Sequence, residues 1–149
     1  VKGGMLSPGP WNEKLVTVAG EPLSLNDIEH RILRPIWMDP RIHYAVNCAS
    51  IGCPNLAAEV YTAANVEALL DAGARAYINH PRGVSVGDGQ LTLSSIYDWY
   101  DTDFVEDRAG LISHLTRYAE PALAGQLQSY DGGIAYDYDW RLNEPGNNY

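Results

Sequence analysis

The runs Val84-Ser85-Val86 and Gln90-Leu91-Thr92-Leu93, joined by Gly87-Asp88-Gly89, constrain the fold most. They read as a β-hairpin, because Gly and Asp tolerate the positive φ that tight hairpin turns demand. Hairpin strands pair antiparallel, yet the segments on either side have helical spacing. Residues 65–79 set Val66, Leu69, Leu70, Ala74, Tyr77 and Ile78 near one side, and His80-Pro81-Arg82-Gly83 stops that helix. Residues 106–119 carry Leu111, Ile112, Leu115 and Tyr118 as a further helix, and residues 122–130 follow Pro121 as a shorter one. An antiparallel pair set among helices predicts the α+β class, with mixed helices around a small antiparallel sheet.

The remaining elements fit that class. Lys14-Leu15-Val16-Thr17-Val18 reads as a short strand, turned by Gly20-Glu21-Pro22. Ser24 caps a helix, with Asp27 favoured near its positive end. Leu25, Ile28, Ile32 and Leu33 form its apolar face, which leaves Glu29 and His30 off the stripe, and Pro35 ends it. Residues 41–48 read as a strand that runs into a small-residue turn. Ile42, Tyr44, Val46 and Cys48 would share one face, and His43, Ala45 and Asn47 the other. Residues 95–100 form one helical turn with Ile96, Trp99 and Tyr100 inward, and residues 134–140 alternate as a half-buried strand.

At 149 residues the chain is one domain's worth, so a single domain over 1–149 is expected. An apolar fraction of 46% and a charged fraction of 19% fit a folded protein. The net charge of −9, with ten scattered basic residues, excludes a nucleic-acid role. No apolar stretch approaches the roughly 18 residues of a membrane span. Nothing in the sequence asks for a cofactor, and the expected partner is a small molecule, peptide or protein of unknown identity. The stretch Lys2-Gly3-Gly4-Met5-Leu6-Ser7-Pro8-Gly9-Pro10 reads as a loop, so a processed or truncated form is expected.

Both cysteines lie in the 41–54 stretch. Cys48 is a candidate nucleophile, which needs a lowered pKa and a base within reach. On a strand, His43 and Cys48 would stand about 16 Å apart on opposite faces, so they meet only if the strand ends early. His30 is freer, and Glu29 or Asn47 could orient an imidazole. Alternatively Cys48 and Cys53 form a disulfide that pins the turn. A zinc site from Cys48, Cys53, His30 and His43 fits poorly, since the histidine gap is too long, and no metal is expected. His43 alone could serve as general base or as a satisfied core imidazole. His80 and His114 read as ordinary positions. Asp98, Asp101, Asp103, Glu106 and Asp107 read as a solvated, helix-capping surface. Ten Tyr and four Trp suit ring-stacking on a ligand, though aromatics are first core material.

Several motifs together resemble the family named domain of unknown function 547. They are Leu23-Ser24-Leu25-Asn26-Asp27-Ile28-Glu29-His30 with Ile32-Leu33-Arg34, and Arg41-Ile42-His43-Tyr44-Ala45-Val46-Asn47-Cys48-Ala49-Ser50 with Gly52-Cys53-Pro54. Leu93-Ser94-Ser95-Ile96-Tyr97-Asp98-Trp99-Tyr100, Asp103-Phe104 and Tyr138-Asp139-Trp140-Arg141-Leu142-Asn143 complete the set. The resemblance implies a papain- or transglutaminase-like α+β fold, an upstream helix, and export to the periplasm or outside. It implies no established reaction. In such folds the nucleophilic Cys precedes the His-bearing strand, so with His43 on that strand Cys48 lies on the wrong element.

Two functions follow as expectations. One is an acyl or amide hydrolase or transferase near the end of the 41–48 strand. In it His43 is base or acid, Cys48 is nucleophile or site wall, and Glu29, His30 or Asn47 orient. The other is a non-catalytic binding module clamped by a Cys48 and Cys53 disulfide.

Overall fold

The computed structural model describes residues 10–104 and 107–144, and the chain divides into two units, Val1–Asp39 and Pro40–Tyr149. The loop expected before Pro10, the helix start at Glu106 and the tail from residue 145 lie outside the described residues.

In the first unit, β1 (Val16–Val18) pairs antiparallel with β2 (Glu21–Leu23). Ala19 (φ 51°) and Gly20 (φ 88°) alone make the turn, so Glu21 and Pro22 belong to a strand rather than to the expected bend. The pair beside a two-residue turn exchanges the ladder bonds, and Pro22 sits in the next pair, opposite Thr17, where its missing N–H is not called on. Ser24 then caps α1 (Leu25–Asp27) through a reciprocal box. Asp27 N donates to Ser24 Oγ at 3.1 Å, and Ser24 N donates to Asp27 Oδ2 at 2.8 Å. Lys14 and Arg31 also hold this carboxylate.

The helix does not stop at Pro35. It widens into a π-helix over Ile28–Leu33 and returns to α geometry in α2 (Arg34–Trp37), ending at Met38 in the left-handed region (φ 48°). The wider turn shifts the preceding carbonyls out of the i−4 register, so the proline ring and missing N–H fall where no such bond is required.

The second unit opens with a 3-10 helix over Pro40–Tyr44, where a strand was expected. Proline favours the first position of a helical turn. Ile42, His43 and Tyr44 are consecutive and all buried, which fits a three-residue turn covered on every side rather than an alternating strand. Arg41 ties this turn to α3 (Val66–Ile78), donating to Asp71 and to Glu67, each at 2.8 Å.

β3 (Val84–Gly87) and β4 (Gln90–Ser94) form the expected hairpin, turned by Asp88 (φ 50°) and Gly89 (φ 75°). β5 (Ile134–Asp137) joins β4 in parallel, so the sheet runs β3-β4-β5 and is mixed. Parallel neighbours need a long crossover. Here it contains α4 (Ile96–Trp99), α5 (Arg108–Tyr118) and α6 (Pro121–Ser129). The architecture is α+β.

Leu91 and Leu93 of β4 share one buried core with Ala74, Tyr77 and Ile78 of α3 and with Phe104, Leu115 and Leu127. Tyr97, not Trp99, turns inward from α4. A four-residue helix sweeps its side chains through almost a full circle, so with Ile96 and Tyr97 buried Trp99 emerges. Buried tyrosine hydroxyls find partners. Tyr44 OH lies 2.9 Å from His114 Nε2, which makes His114 part of the core's polar bonding rather than an ordinary helix position.

Candidate thiol site

The chain leaves the Pro40–Tyr44 turn and folds residues 47–54 into a tight loop. Asn47 closes it from within: its Nδ2 donates to the Pro54 carbonyl at 2.8 Å, and its Oδ1 accepts from Ala49 N at 2.9 Å. Ala49 takes a left-handed conformation (φ 62°), which bends the backbone directly after Cys48. The loop is then sewn to the segment following β5. Ile51 N donates to Arg141 O at 2.8 Å, Gly52 N to Asp139 O at 2.9 Å, and Asn143 N to Ala49 O at 2.9 Å. From α3, Tyr77 OH donates to the Gly52 carbonyl at 2.6 Å. Gly52 is required by proximity: a Cβ there would stand 2.9 Å from the Tyr138 ring and 3.0 Å from Asp139 N.

This stitching delivers Tyr138 to Cys48. The Tyr138 hydroxyl is 3.0 Å from Cys48 Sγ, Ser50 Oγ is 3.1 Å from the same sulfur, and the two hydroxyls are 2.8 Å apart. On the backbone side, Cys48 N donates to Cys53 Sγ at 2.8 Å. The expected disulfide is not formed in the structure: both cysteines are free thiols, Cys48 half-buried and Cys53 buried. Cys48 turns its sulfur to the hydroxyls, while the Cys53 sulfur sits on the Cys48 backbone.

These contacts set the proton distribution. A hydrogen bond from Cys53, helped by Ser50 and Tyr138, brings the Cys48 thiol down to about 5 against the opposing effect of burial. Cys53 moves the other way, because its proton is held by Cys48 and because it is buried. Burial and the bond to Cys48 raise Tyr138. The opposite directions of the two shifts make Cys48 the member of the pair that gives up its proton first.

His43 is only 2% exposed, with Nε2 2.7 Å from Asp103 Oδ2 and its ring stacked on Tyr100 at 4.2 Å. Among the described residues the hydrogen-bond partners of the Cys48 side chain are Cys53, Ser50 and Tyr138, none of them an imidazole. The structure therefore brings Cys48, Cys53 and Asn47 together in one loop and seats His43 against Asp103. The expected 41–48 strand is not formed: a 3-10 turn over Pro40–Tyr44 leads instead into the loop that carries Cys48. Glu29 and His30 lie in the π-helical turn of the first unit, where His30 Nδ1 is 2.9 Å from an Arg34 nitrogen and 3.9 Å from Glu29 Oε1.

The acidic run divides by role. Asp103 meets His43, Asp107 caps α5 by accepting from Gly110 N at 2.7 Å, and Glu106 lies outside the described residues. Among the described residues no three or more of His, Cys, Asp and Glu gather to hold a metal ion. None of the described helices is long and apolar enough to cross a membrane.

Sequence reasoning missed Ser50 and Tyr138 as partners of the thiol. The available signal was the alternation of Tyr136, Tyr138 and Trp140 with Asp137 and Asp139. It marked a strand with an aromatic face but not what that face would touch. Tyr138 packs with Trp99 (4.8 Å between ring centres) and Trp140 (4.7 Å), and both tryptophans are largely exposed.

The family described as "Protein of unknown function, DUF547" matches residues 5–78. The chain belongs to this family. No curated protein and no solved structure matches it. The DUF547 match takes in His43, Cys48 and Cys53 and ends before Tyr138, so the thiol site joins the matched segment to residues beyond it.

Proposed function

We propose that this DUF547 protein is a cysteine-dependent hydrolase or transferase acting on acyl or amide groups, with Cys48 as its nucleophile. The supporting observation is the Cys48 sulfur held by Cys53, Ser50 and Tyr138, with its thiol brought down to about 5. The thiolate adds to an acyl carbon and forms a C–S bond. The leaving amine or alkoxide takes a proton from the Tyr138 hydroxyl, which burial keeps protonated until that moment. Water or an acceptor then attacks the thioester, returns a proton to Tyr138 and releases the Cys48 thiolate. An already ionised nucleophile needs no base to activate it. His43, bonded to Asp103, then supports the turn that leads into the loop, and Asn47 shapes the loop itself.

The test is the pH dependence of Cys48 alkylation, together with turnover of p-nitrophenyl acetate followed by intact mass. The reading predicts an alkylation midpoint well below that of an ordinary thiol and one acetyl group trapped on the protein, both absent in Cys48→Ala. A midpoint near the ordinary value of about 8.5 overturns it.

A second reading is favoured by a different observation. Trp140 is 69% exposed and Trp99 45%, with ring centres 5.2 Å apart, which makes an aromatic surface fit for a binding module. Binding on peptide and glycan arrays that survives Cys48→Ala but is lost in Trp140→Ala would favour it. Binding lost in neither variant counts against it.

A further inference from the structure

We propose that Cys48 and Cys53 act as an exchanging thiol pair toward low-molecular-weight disulfides, Cys48 attacking first and Cys53 resolving. The activity is additional to acyl transfer and shares with it only the Cys48 thiolate.

Proximity is the first argument. Cys53 Sγ lies 2.8 Å from Cys48 N. Cα is about 1.5 Å beyond that nitrogen, so the Cys53 sulfur stands within roughly 4.3 Å of the Cys48 Cα. In a disulfide the partner sulfur is three bonds from the other Cα, at most about 4.5 Å away, so the Cys53 sulfur already stands within that reach. The Cys48 and Cys53 side chains already share a hydrogen bond, so a small turn of Cys48 away from the hydroxyls exchanges that contact for an S–S bond. The backbone already has the needed bend, through the left-handed Ala49 and the Asn47 clamp. The bonds from Ile51, Gly52 and Ala49 to residues 139–143 involve only main-chain atoms. They can persist in both redox states.

Asymmetry is the second argument. Cys48 is half-buried and presents the sulfur on which the hydroxyls converge, whereas Cys53 is 5% exposed. An incoming disulfide therefore meets Cys48. Its thiolate attacks R–S–S–R, a Cys48–S–S–R bond forms, the old S–S bond breaks, and RS⁻ leaves to take a proton from water. Cys48 is now neutral, and the charge that held the proton on Cys53 has gone. Cys53 gives that proton to solvent and attacks the Cys48 sulfur, expelling the second RS⁻. Two electrons pass from the protein thiols to R–S–S–R, leaving a Cys48–S–S–Cys53 bond and two RSH. Closure removes the acyl-transfer nucleophile.

The test uses oxidised glutathione with the reduced chain, acid quenching and intact mass. Wild type is expected to lose two hydrogens with no lasting adduct. Cys53→Ala is expected to stop at one glutathione on Cys48, and Cys48→Ala to react at least about tenfold more slowly. Counting alkylated thiols on the wild-type chain, two before treatment and none after, gives the same reading without a variant. A wild type that holds a stable glutathione adduct, or matches Cys53→Ala, overturns the proposal. A low Cys48 alkylation midpoint without internal closure removes the exchange alone. A midpoint at the ordinary thiol value removes both readings.

Discussion

Tyr138 places its hydroxyl 3.0 Å from the sulfur of Cys48, ninety residues away in sequence. The register is fixed by the main-chain bonds of Ile51 to Arg141 and Gly52 to Asp139, which flank the contact. Tyr138→Phe keeps the ring against Trp99 and Trp140 and deletes only the hydroxyl. A hydrogen bond to a charged group is worth about 1.5 kcal/mol, so the midpoint of Cys48 alkylation should rise by about one pH unit. Rate against pH with a small alkylating agent measures it. An unchanged midpoint would mean that Ser50 and Cys53 suffice to hold the thiolate.

Gly52 lies under the same ring. Its added Cβ would meet Tyr138 Cε2 at 2.9 Å and Asp139 N at 3.0 Å, and a backbone atom cannot swing aside as a side-chain tip can. Gly52→Ala should cost about 1–3 kcal/mol, as overpacking does, and weaken the Tyr138 contact with Cys48. Thermal melting reads the first effect and the alkylation midpoint the second. Gly132→Ala makes a useful contrast, because there the obstacle is the Tyr130 hydroxyl end of a side chain.

Local signals in the chain identified most elements. The Asp88 and Gly89 turn, the α3 stripe and the Ser24 cap depend on neighbours within a few residues, and each was legible. Residues 40–44 were not. Ile42, Tyr44 and Val46 alternate as a strand would, and only the cover from α3 and the aromatic core makes a 3-10 turn bury Ile42, His43 and Tyr44 together. Pro35 misled in the same way, since a π-helical turn can absorb a proline and no short-range pattern announces one. At the site, Cys48, Cys53 and Asn47 could be named because they share one loop. Tyr138 could not, because the pairing of residues 50–52 with 139–142 is a tertiary event. His43 was legible as a polar residue with a task, but its partner Asp103 lies sixty residues away.

That pair yields a prediction that separates support from catalysis. His43 Nε2 is 2.7 Å from Asp103 Oδ2, and the imidazole is buried between Tyr100 and Phe104. Asp103→Ala removes a hydrogen bond at a buried ring and should lower stability by about 1–3 kcal/mol. Because the hydrogen bonds that hold the Cys48 sulfur come from Cys53, Ser50 and Tyr138, its alkylation midpoint should stay where it is in the wild type. Urea unfolding and the alkylation profile, run on one sample, check both halves. A raised midpoint would restore His43 to the chemistry.

The first unit should respond to acid through one carboxylate. Lys14, then the side chain and backbone of Ser24, then Arg31 hold Asp27 far below the usual carboxylate range. A depressed folded-state pKa means that the contribution is fully present above the unfolded value of about 3.9 and is lost as pH falls below it. The helical run from Leu25 to Trp37 should therefore loosen below about pH 4, and Asp27→Asn should remove that dependence while weakening the run at neutral pH. Ser24→Ala deletes the cap itself and should cost about 1 kcal/mol at pH 7. Hydrogen exchange over residues 25–37, corrected for the intrinsic pH effect, is the measurement. Both substitutions should speed exchange there at neutral pH, and only the wild type and Ser24→Ala should show a further acid-induced rise.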